Sequence, residues 1–195
     1  FHRRASSSTI ALAGPGQAIA SRRGVPRGIA VARAPCLRLA DDSLFYTVAV
    51  RRVHASGFAS GLWVGLTATC PGLLASRNAR GDPIDFAADV PDSCVAGGEG
   101  YLWNGEECAE TSWDTGRLMP GDEVSVSICP EGVFRVCLNG CVVASAADCR
   151  IPWEGPLYPL VELHGATQAL ELLPQEALAA AARGGFDGGG DPKRC

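Results

Sequence analysis

Nucleophilic or metal chemistry in this chain would have to come from nine cysteines and three histidines. Thiolates and imidazoles hold zinc, and a thiol beside an imidazole can act as a nucleophile. The closest-spaced pair is Cys137 and Cys141, which flank Asn139-Gly140 in the stretch VFRVCLNGCVV. Their C-x3-C spacing is not that of a zinc ribbon, and no C-x2-C occurs anywhere. Asn-Gly favours a two-residue type I′ hairpin loop, which sets Leu138 opposite Cys141 and Cys137 opposite Val142. Cys141 then shares the core face with Leu138, and Cys137 points to the other side. On opposite faces of one sheet the two thiols cannot share an ion or a disulfide. A Cys149–His164 dyad has no flanking sequence to support it. No catalytic residue, no metal site and no cofactor is therefore expected.

Other short motifs reduce to structure in the same way. The glycines around Pro15 lack the strand, helix and spacing of a phosphate loop, and they read as a turn between two strands. Arg80-Gly81-Asp82 spells an adhesion tripeptide but reads as a loop. Arg3-Arg4-Ala5-Ser6 has the form of a basophilic kinase site, with a solvated loop as the plainer reading.

The elements that would position any site are short. Glycine (24) and proline (13) punctuate the chain at close intervals. Between them lie ten strand candidates: Thr9–Leu12, Ala18–Ser21, Gly28–Ala32, Leu44–Val53, Leu62–Thr69, Val124–Cys129, Val133–Leu138, Cys141–Ala144, Tyr158–Leu163 and Ala169–Leu173. In the sharpest case Val124, Val126 and Ile128 alternate with Ser125, Ser127 and Cys129, and Phe134, Val136 and Leu138 repeat the pattern after a Pro-Glu-Gly turn. Many short strands with turn signals between them predict an all-β, two-layer antiparallel sandwich. The stretch 77–113 has little alternation and is expected to hold long loops with one or two short strands. The domain is expected to span 1–174. Residues 175–195 then form a short helix after Pro174 and a Gly-rich linker or tail.

At 195 residues the chain is long enough for one domain with a core, and 47% apolar content agrees with a folded protein. The net charge of −4 argues against a nucleic-acid partner. No apolar run reaches the ~18 residues of a membrane span, and the basic, polar start is not a signal peptide. The chain opens on Phe1, so it is expected to be a piece of a longer protein. Nine cysteines are about 5% of residues, below the ~8–10% of disulfide scaffolds, and an odd count leaves one unpaired. Mostly free thiols in a reducing, cytoplasmic setting follow.

The order of these segments resembles the Neuralized homology repeat, an NHR module related to SPRY domains. The resemblance is carried by Phe1-His2, TIAL at Thr9–Leu12, Ala20 with Arg22, and Gly28, Ile29 and Val31 followed by Pro35 and Leu37. It continues through Trp63, Gly65, Thr67 and Pro71, the hairpin MPGDEVSVSICPEGVFRVCLNG, and the closing PLYPLVELHGATQALELL. Tyr158, Glu162 and His164 depart from the family's usual Trp, Asp and Tyr. The resemblance implies a SPRY/concanavalin-like sandwich that binds a protein or peptide ligand and performs no catalysis. Such modules are often carried on ubiquitin ligases or scaffolds; no RING-type zinc pattern is present here.

In such a sandwich, rigid strands present loops, and loops carry specificity. Trp103, Trp113 and Trp153 lie in polar, loop-like surroundings, and with Asn104 they are the expected partner-binding residues. Trp63, in an alternating strand, is expected in the core. Glu99, Glu106, Glu107 and Glu110 form an acidic group that reads first as a solvated loop. The alternative function is a lectin-like sandwich that holds a carbohydrate on loop Trp and Asp/Glu residues.

Overall fold

A computed structural model describes residues 1–23, 27–54, 61–152 and 154–174. The expected tail, 175–195, and Trp153 lie outside the described residues. Among the described residues, two antiparallel sheets form the two layers of a sandwich. The first sheet contains β1 (Ile10–Ala13), β2 (Ile19–Arg22), β4 (Leu37–Arg38), β5 (Leu44–Val53), β10 (Glu123–Ile128), β11 (Phe134–Leu138), β12 (Cys141–Ala146) and β14 (Thr167–Leu172). Its order is β1-β2-β14-β5-β10-β11-β12, with β4 against β5. The second sheet contains β3 (Arg27–Val31), β6 (Leu62–Thr67), β7 (Ser93–Gly97), β8 (Tyr101–Trp103), β9 (Cys108–Glu110) and β13 (Tyr158–His164), in the order β3-β13-β6-β7-β8-β9. One helix, α1 (Pro71–Ala79), lies between β6 and β7.

All ten strand candidates are strands. The hairpin forms as the Asn-Gly pair dictates: Asn139 and Gly140 both have positive φ, 50° and 88°, as a type I′ loop requires. Leu138 pairs with Cys141 and Cys137 with Val142. A bulge between Val136 and Cys137 then takes up one residue of β12. Cys137 is a free thiol, as are Cys36, Cys70, Cys94, Cys108, Cys129 and Cys149.

The main core lies between the layers, where Val48, Val50, Leu62, Val64, Leu66, Val124, Val126 and Phe134 are all buried. Tyr46 ties the layers together. It projects from β5, and its hydroxyl reaches Gly65 O at 2.9 Å and Leu160 O at 3.2 Å and accepts from Gly65 N at 3.1 Å. A second cluster covers the outer side of the six-stranded sheet: Ile29, Val31, Val95 and Leu160 meet Ala5, Leu74 of α1, Ala87 and Val90. The stretch 77–113 is more ordered than expected, since it holds three strands, β7 to β9. The helix before it was not expected either. It starts with proline in its first turn, where a missing N–H costs nothing.

Glu162 pins the cover of that outer cluster. It is 2% exposed, its Oε2 accepts from Ala87 N at 2.8 Å, and its Oε1 is 3.9 Å from Arg27 Nη1. Burial pushes its carboxyl above the ordinary range, against the pull of the Ala87 hydrogen bond and Arg27. A raised carboxyl contributes stability that is present below the unfolded-state pKa and is lost as pH rises through the folded-state value. Unfolding free energy measured against pH is therefore expected to fall just above the ordinary carboxylate range. In Glu162→Gln that part of the slope should vanish. An unchanged slope would remove the carboxyl from this role.

Candidate functional site

The loops 104–107, 129–133 and 147–152 meet at one end of the sandwich, and backbone bonds hold them there. Arg150 N donates to Asn104 O at 3.2 Å, and Cys149 N donates to Gly132 O at 3.0 Å. Asn104 organises the first of these loops. Its Oδ1 accepts from Glu106 N at 3.1 Å and Glu107 N at 2.8 Å, and its Nδ2 donates to Asp148 O at 3.4 Å. Arg150 adds ion pairs to Glu106 at 2.5 Å and Asp148 at 3.4 Å. These pairs are about half exposed or more, and exposed pairs contribute only about 0–1 kcal/mol. The backbone and Asn104 bonds fix the loop.

Trp103 ends β8 beside this loop, half-buried against the outer cluster of the six-stranded sheet. Strand periodicity places Tyr101 on the same outward face, with Leu102 turned inward and 2% exposed. Tyr101 is 40% exposed. It lies in a cross-strand row with Gly97 and Trp63, and Trp103 lies in the next row with Val95 and Gly65. Trp63 is thus not in the main core. It is half-buried on the outer face, and its ring lies so close over Gly98 that a Cβ there would come within 2.8 Å. Gly65 and Gly97 are buried between the rings, where a Cβ would come within 2.0 Å of the neighbouring strand's backbone, so β6 and β7 lie close together beneath the shelf. The result is an aromatic shelf of Tyr101, Trp103 and Trp63 next to the pinned 104–107 loop. Tyr101 escaped the sequence reading, although its alternation with Leu102 and Trp103 carried the signal.

Trp113 requires a correction. It is 3% exposed and belongs to the main core, so it cannot touch a partner directly. The segment 111–118 folds across the far end of the sandwich: Thr111 N donates to Gly100 O at 2.6 Å, Thr115 Oγ1 donates to Gly98 O at 2.5 Å, and Gly61 N donates to Thr115 Oγ1 at 3.0 Å. Trp113 plugs that end. The acidic group also divides. Glu106 and Glu107 sit in the pinned loop, and Glu99 lies in the turn between β7 and β8 at the opposite end.

Cys149 sits at the loop end, and His164 closes β13 at the other end, so they form no dyad. Burial pushes the Cys36 and Cys94 thiols up, with Cys149 beside Cys94 acting in the same direction. Both are poorer nucleophiles for it. Ser6 of the kinase-like motif is 6% exposed. Its hydroxyl donates to His2 O at 3.0 Å and accepts from Val31 N at 3.4 Å, so it is a structural tie and no solvated loop residue. Among the described residues no group of three or more His, Cys, Asp or Glu could hold a metal ion, and no helix is long and apolar enough to cross a membrane.

No protein-family model and no curated protein matches the chain. Solved structures do, and they define the fold as the SPRY-type β-sandwich. A human SPRY domain is 21% identical, with TM-score 0.56 over 85% of this chain and 94% of that one. Within that class the likeness extends to NHR domains. The NEUZ (NHR) domain in Neuralized from Drosophila melanogaster gives TM-score 0.61 at 14% identity over 90% of this chain and 91% of that one. The crystal structure of the Drosophila melanogaster neuralized-nhr1 domain gives 0.56 at 14% identity over 86% and 92%.

Proposed function

We propose that this chain is a non-catalytic recognition module that binds a peptide or protein loop on the shelf of Tyr101, Trp103 and Trp63 beside the Asn104 loop. The observation that carries the reading is the pair Tyr101 and Trp103. Two large aromatic side chains stand partly exposed on a short strand near the sheet edge, next to a loop fixed by four hydrogen bonds. Rings on a rigid strand lose little entropy when a ligand covers them, and aromatic anchors carry most of the energy of such contacts. Trp103 acts as an anchor and Asn104 as the residue that shapes the loop. Recruitment for a ubiquitin ligase or scaffold in the same longer chain, in the cytoplasm, is the biological setting this reading favours.

Ligands selected from a phage-displayed peptide library test it. Tyr101→Ala and Trp103→Ala are each expected to weaken a selected peptide about tenfold or more. Tyr101→Ala should change folding stability by less than about 0.5 kcal/mol, as exposed substitutions do. Peptides that bind both variants as well as the parent would move the site elsewhere. Binding on a glycan array with no peptide enrichment would favour the lectin-like alternative.

A further inference from the structure

A cleft of about 980 Å³ opens on the outer side of the six-stranded sheet at its β3 edge, five strand positions from the β9 edge that borders the aromatic shelf. One wall is the N-terminal segment, bound to β3 through His2 N to Val31 O at 2.7 Å and Ser7 N to Ile29 O at 2.9 Å. The other wall is the second half of α1 and the turn after it. Asn78 Nδ2 donates to Arg4 O at 2.9 Å and joins the two walls. Gly28 lets the N-terminal segment lie against β3, because a Cβ there would lie 2.5 Å from Thr9 Oγ1. The cleft is therefore preformed.

Its chemistry runs against that of the chain. The whole molecule carries −4, yet the charged residues lining the cleft are Arg3, Arg4 and Arg27 against Asp85 alone. Arg3 and Arg4 are exposed and take part in none of the ion pairs among the described residues. Arg27 is shared with Glu162 and lies 4.0 Å from the centroid of the Phe86 ring. Phe86 remains 47% exposed, a large apolar surface inside a basic rim.

We infer that this cleft is a second docking site, which takes an acidic, extended segment of a protein partner. Carboxylates would seat on Arg3 and Arg4, and one apolar side chain on Phe86. Three arginines confined to a cleft suit a narrow acidic chain. A nucleic acid or an anionic membrane spreads its charge widely and would meet the acidic remainder of the surface. The rest of the chain is net acidic and on average disfavours an acidic segment outside the cleft.

The test uses a short fluorescein-labelled peptide of aspartate and glutamate with one central leucine, titrated against the chain by fluorescence polarisation. Binding is expected to weaken as salt is raised, and to weaken about tenfold or more in the double variant Arg3→Glu/Arg4→Glu. Those side chains are exposed and make no ion pair, so the fold should be kept. Phe86→Ala should weaken binding separately, and Tyr101→Ala should leave it unchanged, which keeps this site independent of the aromatic shelf. The inference is overturned if the charge-reversed double variant binds like the parent, or if a peptide with asparagine and glutamine in place of the acids binds equally well. Binding to phosphatidylserine vesicles without binding to the acidic peptide would overturn it in favour of a membrane.

Discussion

Phe134→Ala is expected to lower the unfolding free energy by about 3–5 kcal/mol, read from the midpoint of urea denaturation at constant slope. Phe134 is fully buried between the layers. It pairs with Ile128 on one side and Ala146 on the other, so ladder bonds on both flanks hold the backbone where it is. A sheet pinned from both sides cannot collapse into the space the ring leaves. The lost transfer energy and the cavity term therefore add. The neighbour Ala146 is too small to swing in and fill the gap. A loss below about 1 kcal/mol would mean that the two layers close over the site. It would also remove the basis for treating the sandwich as a rigid support for its loops.

The strands that the sequence revealed are those with one dry and one wet face. Val124, Val126 and Ile128 are buried while Ser125 and Ser127 are half-exposed, and such a strand advertises itself as alternation. Two of the strands it concealed, β7 and β9, break that condition. In β7 every residue from Ser93 to Gly97 is buried, since the main core lies on one side and the outer cluster on the other. In β9 all three residues are exposed. Neither has a period to read. The helix α1 buries only Pro71 and Leu74, too little for an apolar stripe, so proline in its first turn was its one local sign.

The site was less legible than the fold for a related reason. Trp103 follows Tyr101-Leu102 and Trp113 follows Thr111-Ser112, so local sequence would bury the first ring rather than the second, the reverse of what the fold does. Their fates are set by partners far along the chain. Trp113 is buried because Gly61, Gly98 and Gly100 supply bonds to the segment around it, whereas Trp103 is only half-covered, on the outer cluster. The basic cleft depends on contacts of the same kind. Arg4 and Asn78 are brought together by the fold, so no motif could have announced them.

Gly65→Ala adds only a methyl group, yet it is expected to cost at least about 3 kcal/mol, at the upper end of overpacking changes. A Cβ at this position would lie 2.0 Å from Cys94 O, 2.5 Å from Val95 Cγ1 and 2.7 Å from Val95 Cα. Two of these are backbone atoms of β7, which has β6 on one side and β8 on the other and cannot move without opening a ladder. Gly65 cannot retreat either, because its N–H and C=O are both engaged by the Tyr46 hydroxyl of the opposite layer. Tyr46→Phe separates the two effects. It removes the tie without adding bulk and is expected to cost about 1–3 kcal/mol, since buried polar groups lose a partner. If the added methyl pushes Gly65 off Tyr46, the double variant should be less destabilised than the sum of the two single changes. Strict additivity would confine the strain to β7, and a Gly65→Ala protein within about 0.5 kcal/mol of the parent would show that β7 yields. In that case the ground on which Trp103 stands would be soft, and pre-organisation could not be the source of its contribution to binding.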